Sequence, residues 1–506
     1  MSRGTQVNLF GVGYGNAEKS LNVTASSRVN CYYDIQPAPG DKSQIAVFGT
    51  PGLSNEATFW NTTGSGPVAL GLTCTGLFAA DKYPSYAGAR VYGGYGDRLY
   101  IASSPGGQSS PSYRSIIAPT NIDAHDFAHS GDQLAIACGT RLYYYDESAE
   151  TNGECLIGGF SMQARSVTFM DGYFIAGLAK YGTEYASGVY VSSLYDVTSW
   201  SLLDFAVPEY ERSTIIAVRA CAGVLYVFSG SSTEVWQNIG AVNYPFQRIE
   251  GAQSNYGLIN KESLVRINNT LVGVFKDTNS NYSVYSLSGT QFSNITPPDL
   301  QYELNDQQSA SPLNDYPIYA WSYSVGGHDF YVMRVQRSSN SYRTYFYDML
   351  SGAWGLMKSG NATHHYGIFS CKVDGVTYVA DYRANGKMYS VIPSLYEDDG
   401  TANKRELIGN HIFMPDRSTF TMRSMSLDME HGVDSNDLTV YLSLSRDGGH
   451  TFGEEYSDTS TSGNYTRFFQ FNRLGRGRDI VPKIRTQDPC KFVLIGAVAD
   501  IAPYGW

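Results

Sequence analysis

His125 and His129 stand four residues apart with Asp123 and Asp126 beside them, residue types that ligate metals. A zinc site needs at least one more converging ligand and a supporting shell behind it, and no spacing elsewhere supplies them. The pair is read as part of a loop that leads into a strand over 134–137. His364-His365 is a weaker candidate, because neighbours on a strand point to opposite faces. Gly11-Val12-Gly13-Tyr14-Gly15 has the glycine content of a phosphate-cradling loop. Such a loop needs a strand before it and a helix after it, so that backbone N–H groups converge, and neither is predicted here. It is read as flexible chain.

Two further segments carry more information. Ser445-Arg446-Asp447-Gly448-Gly449-His450-Thr451-Phe452 resembles the Asp-box of sialidases and other propellers, a hairpin whose carboxylate bonds turn amides while the aromatic packs beneath. It is an element of fold in those enzymes, and a single copy here argues poorly for glycan hydrolysis. The densest basic stretch is Arg473, Arg476 and Arg478 with Lys483 and Arg485. A DNA-facing patch would combine such charges with backbone donors, whereas a solvated or subunit-contacting hairpin needs the charges alone. No Ser/His/Asp elbow, phosphate-binding loop or His-Glu-x-x-His is present. The chain is therefore expected not to be an enzyme, and no cofactor or metal is implied.

The elements that must position these residues are strands. Short aromatic and β-branched runs alternate with Gly, Asn, Asp and Ser throughout the 506 residues. An apolar residue (threonine in the last case) followed by Tyr recurs at Tyr100, Tyr143, Tyr190, Tyr226, Tyr285, Tyr331 and Tyr378, about every 46 residues, the length of a four-stranded propeller blade. Tyr195-Asp196 before Trp200 is echoed by Tyr347-Asp348 before Trp354. The pattern predicts an all-β fold: a β-propeller core of six or seven blades over 56–400, preceded by an N-terminal extended arm over 1–55. A polar linker at 398–404 leads to a β-sandwich-like C-terminal domain over 401–506, where Leu438, Val440, Leu442 and Leu444 alternate onto one face. Thr296-Pro297-Pro298 before Leu300 and Leu304 predicts one short helix.

Composition narrows the partners. The formal charge is −11, so the chain as a whole does not condense on a phosphate backbone. Charged residues make up only 16%, against roughly 25% in soluble proteins generally. Forty tyrosines and 52 glycines replace them, and tyrosine is favoured where protein surfaces meet. Seven scattered cysteines without a Cys-x-x-Cys pair read as buried free thiols. No signal-peptide pattern opens the sequence and no apolar run is long enough to span a membrane.

An ordered series of short motifs completes the picture: Ser27-Arg28-Val29-Asn30-Cys31-Tyr32, Gly49-Thr50-Pro51-Gly52-Leu53, Leu225-Tyr226-Val227-Phe228, Glu234-Val235-Trp236 and Tyr244-Pro245-Phe246. Gly327-His328-Asp329-Phe330-Tyr331-Val332, Tyr347-Asp348 with Trp354, and Arg473-Leu474-Gly475 follow. In this series the chain resembles the tail hub, or nozzle, family of packaged-DNA stabilisation proteins of short-tailed double-stranded DNA phages. The resemblance implies a homo-hexameric ring below the portal and the adaptor ring, which prolongs the DNA channel and retains packaged DNA until ejection. It also implies contacts with tail fibre or tailspike and needle, passage of double-stranded DNA through the lumen without sequence-specific binding, and a place in the virion tail after assembly in the host cytoplasm. A sialidase-like or glycan-binding propeller at the tail is the alternative.

Overall fold

The structure is a computed structural model that describes residues 5–6, 20–22, 24–35, 45–58, 73–80, 90–95, 98–103, 114–117, 124–139, 141–181, 188–209, 214–242, 244–310, 317–338 and 341–503. Strands dominate it, as the alternation of aromatic and β-branched residues with turn formers requires. Seven antiparallel blades of four or five strands follow one another: blade 1 over 74–117, blade 2 over 126–154, blade 3 over 156–206, blade 4 over 215–254, blade 5 over 257–294, blade 6 over 319–357 and blade 7 over 367–392, whose fourth strand comes from elsewhere in the chain. Several connect their first two strands through two-residue turns with both residues left-handed. In blade 7 these are Asp374 (φ 48) and Gly375 (φ 85), the turn whose twist matches that of the flanking strands.

Each seam between neighbouring blades is a separate apolar cluster, and the seventh closes the ring. Cys371, Val373 and Tyr378 of blade 7 pack against Cys74, Leu77 and Tyr95 of blade 1. The seven landmark tyrosines fall one to a blade, each buried on the second or third strand. The predicted helix is Pro298–Ala310, between blades 5 and 6, and it buries Leu300 and Leu304 in the seam between them. Thr296 does not cap it; its hydroxyl is exchanged with the backbone of Val284 instead.

Within residues 1–55, where an extended arm is expected, the described segments include strands of both bodies. Gly52–Thr58 is the outer strand of blade 7, running antiparallel to Lys387–Ile392, so the first part of the chain completes the last blade. Cys31–Ile35 and Ile45–Gly49 join Val493–Pro503, Phe420–Glu430 and Phe469–Gly477 in one sheet of the C-terminal β-sandwich. Ser27–Val29 lies between Arg405–Ile408 of the other sandwich sheet and the outer strand of blade 6, where Val29 pairs with Leu356. A sequence read locally sees only a glycine- and asparagine-rich stretch here, because, apart from the pairing of Cys31–Ile35 with Ile45–Gly49, the strand partners lie hundreds of residues away. Leu438, Val440, Leu442 and Leu444 face the sandwich core together with Cys31, Tyr33 and Val47. The polar segment at 398–404 adds two short strands, Glu397–Asp398 and Thr401–Ala402, to blade 7.

Candidate functional site

The first two sequence motifs meet at the junction of propeller and sandwich, and the geometry there explains their residue types. Arg28 is almost wholly buried; its guanidinium donates to the Trp354 carbonyl and lies 3.9 Å from the centre of the Tyr33 ring. Asn30 adopts a left-handed backbone (φ 55), which asparagine tolerates better than most residues. Its amide donates to the carbonyls of Lys358 and Lys404, both at 2.8 Å, and its carbonyl accepts from the Lys358 N–H at 2.8 Å. Gly49 leaves room for Arg405, whose Nε would lie 2.5 Å from a Cβ. Gly52 faces backbone, with the Glu397 carbonyl 2.3 Å from where a Cβ would stand.

Arg405 has no exposed surface and, among the described residues, no carboxylate in hydrogen-bond contact. It donates to the carbonyl of Cys490 at 3.2 Å and to those of Asp488 and Tyr396 at 3.4 Å, and burial lowers its pKa. Asp398 accepts from the Leu53 N–H (2.9 Å) and the Asn403 amide (2.7 Å). Burial raises its pKa to about 6 against those hydrogen bonds and one from Ser359. These groups tie the N-terminal strands, blades 6 and 7 and the sandwich into one unit.

Around the ring axis a cavity of about 150 Å³ is lined by Gly76, Phe78, His125, Asp126, Arg219 and Lys261, among others. Its charges are engaged with one another across blades. Arg219 of blade 4 pairs with Asp126 of blade 2 at 2.6 Å and with Ser166 of blade 3 at 2.8 Å. Lys261 donates to the carbonyls of Ala124 and Arg165, both at 2.7 Å. His125 bonds Thr75 of blade 1 at 2.6 Å, and burial, with help from Lys261, lowers its pKa to about 4.

The structure separates the histidines singled out in the sequence. His129 is engaged with Glu147 at 3.2 Å, and four residues along an extended strand carry it roughly 13 Å from His125. Asp123 lies outside the described residues, as does the Gly11–Gly15 segment. Among the described residues no group of three or more His, Cys, Asp or Glu side chains is placed to hold a metal. His364 packs against Tyr342 and Tyr382 while His365 stacks on Trp321, and burial lowers them to about 4 and about 3. All seven cysteines are buried free thiols.

The Asp-box segment forms its expected turn. Asp447 accepts from the Thr451 N–H (2.9 Å), the Thr451 hydroxyl (2.6 Å) and the Ser445 hydroxyl (2.7 Å). These bonds hold its carboxyl below the usual range. The basic stretch is divided by the hairpin that contains it. Lys483 lies 4.6 Å from the Phe452 ring centre, and Arg485 makes a two-pronged ion pair with Glu455 (3.0 and 2.6 Å) over Tyr441. Arg473, Arg476 and Arg478 are exposed along and just beyond Phe469–Gly477, the edge strand of its sheet. Sequence reasoning gave no role to Arg28, Arg405 and Asp398, whose partners are distant carbonyls and amides; the one signal was that Arg28 lies within the first of the short motifs.

The chain matches two family models. The one described as the β-propeller of bacteriophage P22 Gp10 covers residues 90–394, and the one described as its β-sandwich covers residues 405–502. No curated protein matches the chain. Of the solved structures that match, a chain of the mitotic checkpoint complex is 9% identical with a TM-score of 0.38, over 70% of this chain and 96% of that one. The N-terminal domain of Nup159 is 10% identical with a TM-score of 0.38, over 71% of this chain and 97% of its own.

Proposed function

This chain belongs to the bacteriophage P22 Gp10 family of tail hub and stabilisation proteins, and we propose that it serves as the nozzle of a short phage tail. Family membership makes it a structural protein of the virion tail. In the proposed role six copies close into a ring beneath the adaptor, prolong the DNA channel and retain the packaged genome until ejection. Tail fibre or tailspike and needle attach to the same ring, which assembles in the host cytoplasm.

One observation carries this reading: the propeller and the sandwich match the two modules of one tail protein in the same order, over most of the chain. Physical properties support it. A ring needs two different patches on each subunit, and the surface is tyrosine-rich and poor in charge. Leu156, Phe160 and Leu203 of blade 3 and Val242 of blade 4 are exposed apolar side chains suited to such a patch. The interlocked junction suits a part that bears pressure, since neighbouring N-terminal strands enter both bodies.

The test is negative-stain microscopy of the purified chain, alone and with its adaptor. Six-fold rings are expected. A chain that stays monomeric at high concentration with adaptor present overturns the reading.

A further inference from the structure

At one end of the sandwich five arginines gather on an otherwise acidic protein. Arg476 pairs across the sheet with Thr421, and Arg478 occupies the hairpin that follows. Arg446 reaches over from the Asp-box turn, donating to the carbonyls of Leu474 (2.6 Å) and Arg476 (3.0 Å). Arg417 lies 3.8 Å over the ring of Phe413, whose backbone pairs with Asp479 in the same hairpin. Arg473 sits at a bulge four residues after Phe469, the first residue of the edge strand.

Two features set this end apart from ordinary surface charge. Arg417 (φ 57) and Arg473 (φ 61) both hold left-handed backbones. That conformation is uncommon for a long side chain, and such outliers collect where a side chain must be aimed. The nearby carboxylates are also committed elsewhere. Asp447 is held in its own turn, Asp479 is bound to His411 at 2.8 Å, and Asp416 accepts from the Ser418 N–H. Among the described residues no carboxylate lies within ion-pair distance of Arg417, Arg446, Arg473 or Arg478. Protection of a bare sheet edge needs less than this, because Arg446 alone already occupies two of its outward carbonyls.

We propose that this arginine end is where the protein touches the phosphate backbone of duplex DNA. The proposal rests on the nozzle reading and adds to it a point of contact. Guanidinium groups offer planar forks to phosphate oxygens. A small positive end on a wall of net negative charge touches a passing duplex without holding it along its length, since the remainder of the surface repels it. The contact carries no sequence information, because it is made to the backbone alone.

Binding of the purified full-length chain to a short labelled duplex, followed by fluorescence anisotropy over a salt series, tests this. Salt-sensitive binding is expected, and Arg473→Ala and Arg478→Ala should each reduce the slope of log affinity against log salt by about 0.9. Among the described residues neither side chain has a partner whose loss would unfold the sandwich, and an unchanged melting temperature confirms that in each variant. Absence of binding at low salt overturns the proposal, as does a double variant that binds like the parent. Polyglutamate that competes as well as unlabelled DNA overturns it too, since the end would then be a protein contact. Rings that form by microscopy yet ignore DNA defeat this inference alone and leave the tail role standing.

Discussion

The side-chain amide of Asn30 pairs with the backbone of Lys358 in both directions, donating to its carbonyl and accepting from its N–H, each at 2.8 Å. A single side chain thereby imitates a strand neighbour across 328 positions of sequence. The same amide reaches the Lys404 carbonyl, so one residue links the N-terminal strands, blade 6 and the start of the sandwich.

Asn30→Asp tests that link with almost no change of shape. An ionised carboxylate oxygen would face the Lys358 and Lys404 carbonyls, with no proton to share. A loss of about 3 kcal/mol is expected, the cost of unmet buried partners. A lowered thermal midpoint reports it, and Asn30→Gly, which keeps the backbone geometry, separates the lost bonds from the new repulsion.

Asp398 gives the fold a dependence on pH. Its pKa is raised to about 6 from an ordinary 3.8, so the folded state holds the proton more tightly than the unfolded one. Stability from this group is therefore full below about pH 4 and declines as pH rises toward about pH 6. Its neighbour His365, 3.9 Å away, is lowered to about 3 and stays neutral through that window. Asp398→Asn keeps an oxygen for the Leu53 N–H and removes the titration. The difference in melting temperature, variant minus parent, should rise between about pH 4 and pH 6 and then level off. A flat difference would show that the buried carboxyl does not titrate there.

The cysteines give a chemical check on the packing. All seven are buried, and burial pushes the Cys31 and Cys74 thiols up to about 12. A thiol reagent should label almost none of them in the native protein and all seven in denaturant, since the thiolate is the reacting form and is both scarce and inaccessible. Rapid labelling of any native thiol would place that residue at a surface.

How much was legible in the sequence follows from how far each residue's partners lie. The landmark tyrosines reveal the blades because a blade is built from neighbouring hairpins, so its period survives in a local reading. Leu300 and Leu304 reveal the helix, and Ser445 to Thr451 reveal the turn, for the same reason. The junction was not legible. Arg28 donates to Trp354 across 326 positions, and Leu53 to Asp398 across 345, distances at which composition and periodicity carry no signal. The basic stretch, contiguous in sequence, divides between two strands, with Arg485 paired to Glu455 and Arg473 left exposed, a separation that depends on the hairpin and that charge spacing alone does not show.

The closing strand offers the sharpest mechanical test. At Gly52 an added Cβ would stand 2.3 Å from the Glu397 carbonyl oxygen and 2.8 Å from that of Leu395, and both belong to backbone rather than to a movable side chain. Gly52 donates to the same Leu395 carbonyl at 2.7 Å, so the close approach is also a hydrogen bond. Gly52→Ala must therefore push Gly52–Thr58 away from blade 7, costing about 3 kcal/mol as an overpacked site does. Since this strand completes the last blade, the loss should appear first as faster proteolysis near residues 52–58 and only then as a lower melting temperature. Gly496→Ala is the control: its Cβ would meet nothing within 4 Å, and stability should hold or rise slightly. Equal behaviour of the two variants would mean that the N-terminal strand does not close the ring.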